Sequence, residues 1–181
     1  MKGVVFTELI EMIEAKWGLT TAQKVLDDAA LPHDGVYTSI GTCPHGEAVS
    51  IVQSLSKHSG MAVADLLEAF GYYLFGRLAA GFPKLLSNIS DPFDLLLNIE
   101  KLIHVEVKKL YPDARPPMFH GRLLDSGSLE MVYQSNRGMG SLAIGLMKGC
   151  GDYFKQPLNV AIKESNPDGT IVTFILEKQP C

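Results

Sequence analysis

Large apolar residues recur at helical spacing through roughly the first 110 positions of the chain. The first stripe ends at Gly18 and comprises four residues: Leu9, Ile10, Ile13 and Trp17. A short helix, capped by Thr20 or Thr21, is predicted to extend to Ala30. Two longer helices are predicted next, over 46–58 and 63–80. The second of these is apolar on most sides, which indicates a helix that is central to the core or lines a cavity.

A short helical stretch follows Pro83, and the next helix is predicted to begin at Pro92. Asp91 can cap its N-terminus, and proline suits the first helical position. This helix is expected to extend to Leu110. Its inward stripe consists of six apolar residues: Phe93, Leu96, Leu97, Ile103, Val107 and Leu110. His104 lies on the same stripe, so a histidine is predicted to face the interior.

The pattern changes after the helix-ending run Arg115-Pro116-Pro117. Alternating apolar positions predict strands over 118–124, 129–134, 158–163 and 171–177, with a helix over 140–154. The turn signals between paired strands are Asp125-Ser126-Gly127 and Asn166-Pro167-Asp168-Gly169. We therefore predict an α+β fold, with an N-terminal helical part of about 110 residues and a C-terminal antiparallel-sheet part of about 70 that includes one helix.

The composition fits one globular domain. Of 181 residues, 46% are hydrophobic and 20% are charged, which excludes a disordered chain. Sixteen Lys and Arg against 20 Asp and Glu give a net charge of −4, which argues against a nucleic-acid-binding protein. No apolar run reaches the roughly 18 residues of a membrane helix, and the N-terminus lacks the pattern of a secretory signal. A cytoplasmic protein without membrane insertion is expected.

The cysteines support the same compartment. Cys43, Cys150 and Cys181 are odd in number and share no C-x-x-C spacing, so reduced thiols are expected. They are too few and too scattered to predict a structural zinc site. Cys43-x-His45 supplies only half of a metal site, and nothing at ligand spacing supplies the other half.

Most of the motifs that would indicate an enzyme are absent, and most of the histidines lie in ordinary polar positions. The chain contains no phosphate-binding loop, dinucleotide fingerprint, zinc-protease helix or nucleophile elbow. Four histidines fall in loops, at a helix end or near a strand edge and are expected to be solvated: His33, His45, His58 and His120. His104 differs because its neighbours are apolar. It is either a core histidine satisfied by one hydrogen bond or the axial ligand of a planar iron cofactor.

Three features favour the second explanation. The helix around 70–78 is apolar on too many faces for a surface helix, and Pro116-Pro117 offers stiff apolar atoms to a flat ring. The third is the pentapeptide Tyr133-Gln134-Ser135-Asn136-Arg137. A period of two places its tyrosine, serine and arginine on one side of an extended segment, where three donors can bind a pair of carboxylates such as heme propionates. The alternative is an exposed strand end with ordinary polar residues.

These features resemble the H-NOX family, the heme–nitric oxide/oxygen binding domains related to the heme domain of soluble guanylate cyclase. The resemblance covers essentially all 181 residues. It rests on Met1-Lys2-Gly3, Phe70-Gly71, Ile103-His104, Arg115-Pro116-Pro117, Tyr133-x-Ser135-x-Arg137 and Gly145-Leu146. It implies one heme-binding domain over 1–181, divided into a distal helical part over about 1–60 and a proximal part over about 61–181, with heme b between them.

The resemblance also implies residue roles. His104 matches the proximal iron ligand, and Tyr133, Ser135 and Arg137 match the propionate-binding motif. Pro117 matches the proline that packs against the porphyrin, and Gly71 matches a family glycine that allows close backbone approach. The remaining pocket positions are Val5, Leu9, Phe70, Leu74, Phe75, Leu78, Val107, Leu142 and Leu146.

The gas that binds is predicted from the distal side of this pocket. In O₂-binding family members a tyrosine with a supporting network occupies the position that matches Leu142. The supporting positions match Leu9 and Leu74, so all three are aliphatic here. A pocket without hydrogen-bond donors should bind NO and CO and discriminate against O₂.

The resemblance implies a sensor rather than an enzyme. NO weakens the bond opposite to it, so cleavage of the iron–His104 bond and relaxation of the heme and the domain are expected to carry the signal. The family's partners are histidine kinases and cyclic-di-GMP synthases or phosphodiesterases. The alternatives are a heme-dependent O₂-binding or redox protein, including a peroxidase, and a heme-free interaction module.

Overall fold

The N-terminal part of the chain is helical. The computed structural model describes residues 1–180 except the side chains of His33 and Asp34, so the predictions for His33 and Cys181 lie outside the described residues. The elements are α1 (Gly3–Trp17), α2 (Leu19–Asp28), a 3₁₀ turn (Pro32–Gly35), α3 (His45–Ser59) and α4 (Val63–Gly81). Gly18 ends α1 with a positive φ of 83° and donates its N–H to Glu14. The next helix starts directly after this glycine, so the prediction of a threonine cap is wrong.

The segment predicted as one helix from Pro92 to Leu110 is broken. After α5 (Pro83–Leu86) it comprises α6 (Pro92–Leu97), a π-helical turn (Glu100–His104) and α7 (Val105–Leu110). The predicted cap is confirmed, because the Asp91 carboxylate accepts the Phe93 N–H at 2.8 Å. The break has a local cause. The Asn98 side-chain amide donates to the Asp94 carbonyl at 2.9 Å and thereby competes with continuation of the backbone ladder.

The C-terminal part is the predicted antiparallel sheet with one helix. Its elements are β1 (Met118–Leu123), β2 (Leu129–Gln134), α8 (Gly140–Tyr153), β3 (Leu158–Ser165) and β4 (Ile171–Lys178). The strand order is β1-β2-β4-β3, and each neighbouring pair is antiparallel, so β1 and β3 are the edges. Alternate residues of the central strands, among them Leu129, Met131 and Phe174, are fully buried, as the period of two predicts.

The buried side chains form two clusters. The helical core extends from Phe6 to Leu74, and the sheet core extends from Ala79 to Leu176. The clusters meet where α4 crosses α8, since a Cβ on Gly71 would lie 2.1 Å from the Leu142 carbonyl oxygen. Both helices therefore contribute residues to both clusters.

None of the described helices is long and apolar enough to cross a membrane.

Candidate functional site

His104 lies at the end of the π-helical turn and is only 7% exposed. Turns of this kind are rare and occur frequently at functional sites. The imidazole packs near Phe119, with 6.2 Å between ring centroids. Burial lowers the pKa of His104 below its usual value, while the Glu100 carboxylate acts in the opposite direction. The ring is therefore held in an environment that favours the neutral form, which is the form that ligates metals.

The tautomer of His104 is fixed by Glu100. The imidazole Nδ1 lies 2.9 Å from Glu100 Oε1, and a carboxylate can only accept, so Nδ1 carries the proton. The same oxygen accepts the backbone N–H of Phe119 at 2.8 Å. Nε2 consequently presents its lone pair, and no described residue forms a hydrogen bond with it. Metal-ligating histidines have the same arrangement, in which one ring nitrogen is bonded and the other is available.

The Tyr133–Arg137 motif is only partly extended. Strand β2 ends at Gln134, and the chain turns at 136–137, so the prediction of one extended segment through Arg137 is wrong. The buried Tyr133 hydroxyl accepts the Met139 N–H at 3.1 Å. The Ser135 hydroxyl accepts the Arg137 N–H at 3.3 Å. Both hydroxyl protons remain available for donation.

Arg137 links the motif to the proline-rich loop. Its guanidinium donates to the Arg115 carbonyl at 2.6 Å, directly before Pro116 and Pro117, which are half-buried. The pKa of the Met1 ammonium is lowered first by burial and next by the Arg137 guanidinium. The motif, the proline loop and the N-terminus therefore lie in one neighbourhood.

A second set of contacts fastens the loop after α7 to the N-terminus. Lys2 Nζ lies 2.8 Å from Thr42 Oγ1 and 3.1 Å from Asp113 Oδ1, and it lies over the Tyr111 ring at 5.1 Å from the centroid. The Thr42 hydroxyl also donates to Asp113 at 2.6 Å. These contacts connect the helical part to the segment that follows His104.

A narrow cavity lies within the helical core. Its wall is made of nine apolar side chains: Met1, Val5, Leu9, Ala48, Val52, Leu67, Phe70, Met139 and Leu142. Four of these were predicted as pocket residues, namely Val5, Leu9, Phe70 and Leu142. No wall side chain carries a hydrogen-bond donor.

The other predicted pocket residues lie elsewhere. Leu74 is buried in the helical core, and Leu146 packs against that core from α8. Phe75 packs against the sheet core, where its ring meets Tyr153 at a centroid distance of 5.9 Å. Leu78 is 37% exposed, and Val107 is half-buried on α7.

Sequence reasoning missed five wall residues: Met1, Ala48, Val52, Leu67 and Met139. Helical spacing could have identified some of them. Leu67 precedes Phe70 by three positions, and Ala48 precedes Val52 by four, so each pair shares a helix face. Met139 carried no such signal, because it lies in the turn before α8.

The remaining candidates do not form a metal centre. Within residues 1–180, leaving out the side chains at 33 and 34, no group of three or more His, Cys, Asp or Glu is arranged to hold a metal ion. Cys150 is fully buried, and burial raises the pKa of its thiol to about 12. His58 pairs with Asp28 at 2.7 Å on the surface.

Comparison with known proteins identifies relatives over the whole fold. The H-NOX protein from K. algicida, unliganded in its Fe(II) form, is 36% identical with a TM-score of 0.93, over 100% of this chain and 98% of that chain. An H-NOX protein from S. oneidensis in the Fe(II)NO state is 31% identical with a TM-score of 0.92, over 99% of this chain and 100% of that one. The IWP-051-bound H-NOX from Shewanella woodyi in the Fe(II)CO state is 39% identical with a TM-score of 0.83, over 99% and 95% of the two chains.

A comparison with curated proteins gave no significant match. A sequence model of the Haem-NO-binding family matches residues 2–162, which is most of the chain. The predicted family and the α+β architecture are thereby confirmed. The chain belongs to the Haem-NO-binding family, the H-NOX domains, which bind heme and sense gases.

Proposed function

We propose that this chain binds heme b through His104, binds NO and CO at the ferrous iron, and discriminates against O₂. The observation that carries the proposal is the buried imidazole of His104, whose Nδ1 is bonded to Glu100 while Nε2 is available. One neutral imidazole in an apolar setting suffices for axial ligation of heme iron.

The polar residues present also fit the cofactor. Tyr133 and Ser135 use their oxygens as acceptors toward backbone N–H groups, so each keeps a hydroxyl proton to donate to a propionate. Arg137 donates to a neutral backbone carbonyl, and a carboxylate is a stronger acceptor for a guanidinium. The residues that would hold the propionates are therefore Tyr133, Ser135 and Arg137.

The apolar cavity wall supports the proposed discrimination against O₂. Heme held by His104 would supply an iron site for diatomic gases. O₂ binding is strengthened by a distal hydrogen-bond donor, whereas NO binding does not require one. The side chains of the cavity wall, including Leu9 and Leu142, carry no such donor, and the Met1 ammonium donates to the Cys43 carbonyl at 2.6 Å.

His104 would carry the signal into the protein. Its segment is joined to β1 through Glu100 and to the N-terminus through Asp113, so release of the imidazole would bear on both parts of the fold. Two packings that differ in these contacts are what a binding-driven switch requires. The signalling partner that we propose from the family resemblance is a histidine kinase or a cyclic-di-GMP synthase or phosphodiesterase, in the cytoplasm.

The test is an absorption spectrum of the dithionite-reduced protein under argon, then air, then NO. We expect a heme spectrum that air leaves unchanged and NO shifts. His104→Ala should lose heme or retain it only with added imidazole. His120→Ala, which removes an exposed histidine of β1, is the matched control and should behave like the wild type. A protein without heme, or a His104→Ala variant with an unaltered spectrum, contradicts the proposal.

A further inference from the structure

Glu100 is the polar side chain that most directly shapes the environment of His104. Its Oε1 accepts two hydrogen bonds, from His104 Nδ1 at 2.9 Å and from the Phe119 N–H at 2.8 Å. The two donors come from different parts of the chain, 4 and 19 residues away from Glu100. One oxygen thus joins the π-helical turn to the first strand of the sheet.

The Phe119 N–H holds Glu100 Oε1 in a fixed position relative to the sheet. It is a backbone group of β1, which is an edge strand, and edge strands have donors that no neighbouring strand uses. Phe119 itself is buried, and its ring lies 5.6 Å from that of Tyr133 by centroids. The carboxylate is therefore fixed relative to the sheet, and the imidazole is fixed relative to the carboxylate.

Other charged groups of the same segment do not replace this contact. Glu106 pairs with Lys109 at 2.5 Å and is half-buried on α7. Lys101 and Lys108 are exposed and can only donate, so neither can accept the Nδ1 proton. Among the described residues, Glu100 is the acceptor that His104 Nδ1 uses.

We propose that Glu100 is a positioning residue that orients the His104 ring and strengthens its bond to heme iron. The inference rests on the proposed role of His104. A carboxylate that accepts the Nδ1 proton makes the opposite nitrogen a more basic ligand and fixes the ring plane, as it does in other metal sites. In the proposed function Glu100 would therefore set how readily gas binding releases the histidine.

The test compares three variants of the heme-loaded 181-residue chain. Glu100→Ala removes the acceptor, and Glu100→Gln keeps its volume and an acceptor oxygen but removes the charge. Glu106→Gln is the matched control, because it neutralises a carboxylate of the same segment that does not contact His104. The readouts are the iron–histidine stretching frequency of the ferrous protein by resonance Raman, and the rate of heme transfer to excess apomyoglobin.

We expect the stretching frequency to fall in Glu100→Gln and to fall further in Glu100→Ala, while Glu106→Gln matches the wild type. Heme transfer should be roughly 10-fold faster in Glu100→Ala, the lower end of the usual effect of removing such an outer-shell partner. The NO complex should also shift toward the five-coordinate form. If Glu100→Ala does not fold, Glu100→Gln decides the question.

Two failures are distinguishable. A wild-type iron–histidine band that is unchanged in Glu100→Gln overturns the role of Glu100 and leaves His104 as the ligand. A wild-type protein that shows no such band, or one that persists in His104→Ala, overturns the proposed ligand itself.

Discussion

The helical core and the sheet region differ in whether their buried polar side chains have hydrogen-bond partners. Ser54 is the buried polar residue of the helical core, and among the described side chains its hydroxyl is the buried group without a hydrogen-bond partner. From position 79 onward the described buried polar residues all have partners: His104, Ser128, Glu130 and Thr173. The cavity with its apolar wall lies on the first side, and the histidine with its carboxylate lies on the second.

Neighbouring side chains account for the difference. The partners of the four residues on the sheet side are themselves polar side chains, whereas Ser54 lies among the apolar residues of the helical core. Turns and edge strands leave backbone groups free, as the Phe119 N–H shows. Glu130 further benefits from cross-strand cations, with Arg122 at 2.5 Å and Lys163 at 2.8 Å. The hydrogen-bonded histidine and the cavity with an apolar wall thus lie in two different kinds of architecture.

The largest expected effect comes from breaking the contact that joins the two regions. A Cβ on Gly145 would lie 1.9 Å from the Glu68 carbonyl oxygen, so Gly145→Ala forces α4 and α8 apart. We expect the free energy of unfolding to fall by about 3 kcal/mol. Gly76→Ala on α4 is the control, because its added methyl meets nothing within 4 Å. It should raise stability by up to about 1 kcal/mol through helix propensity. Denaturant unfolding measures both, and equal effects would contradict this packing.

The second prediction introduces a donor on the apolar side. Leu142→Tyr places a hydroxyl at the cavity wall, and one hydrogen bond to bound O₂ should raise O₂ affinity about 10-fold, or about 1.4 kcal/mol. Leu142→Phe adds similar volume without the hydroxyl and should show no gain. Absorption spectra of the reduced proteins during oxygen titration compare the two. Equal O₂ affinity in both variants would mean that wall polarity does not control selectivity.

The smallest expected effects come from two buried serines, Ser54 without a hydrogen-bond partner and Ser128 with one. Ser54→Ala removes a buried hydroxyl without a partner and should raise the free energy of unfolding by about 1 kcal/mol. Ser128→Ala removes a hydroxyl that accepts from Ser126 at 3.0 Å, and should lower the free energy of unfolding by about 1 kcal/mol. Thermal and denaturant unfolding of the pair give the signs. Destabilisation of both variants would show that Ser54 is satisfied in solution.

Much of the fold was predictable because its determinants are local. The limits of α3, α4, α8 and the strands agree with the predicted ranges within a few residues, since apolar periodicity and Gly or Pro punctuation mark them directly. The helix over 92–110 was mispredicted because its apolar stripe continues through the break. The Asn98 side chain ends α6, but asparagine also occurs within helices. The sequence pattern alone therefore did not distinguish a broken helix from a continuous one.

The candidate site likewise has features that the sequence predicted and features that it did not. Burial of His104 was predictable from its place on the stripe, and the pairing of Tyr133 with Met139 was not. Leu78 matched the family's pocket by position, yet it is exposed on α4 and does not belong to the cavity wall. Spacing along a helix identifies a face, and the packing of other helices decides which part of that face encloses a cavity.

The sequence by itself determined the helical and antiparallel parts, the inward position of His104 and the apolar character of Leu9, Leu74 and Leu142, because these depend on residues near one another in the chain. The tertiary structure decided that Glu100 serves both His104 and Phe119, that Arg137 reaches Arg115, and that Lys2 and Asp113 meet across 111 positions. Such contacts depend on where distant backbone donors and charges come to lie after the two cores have packed, and no periodicity encodes that.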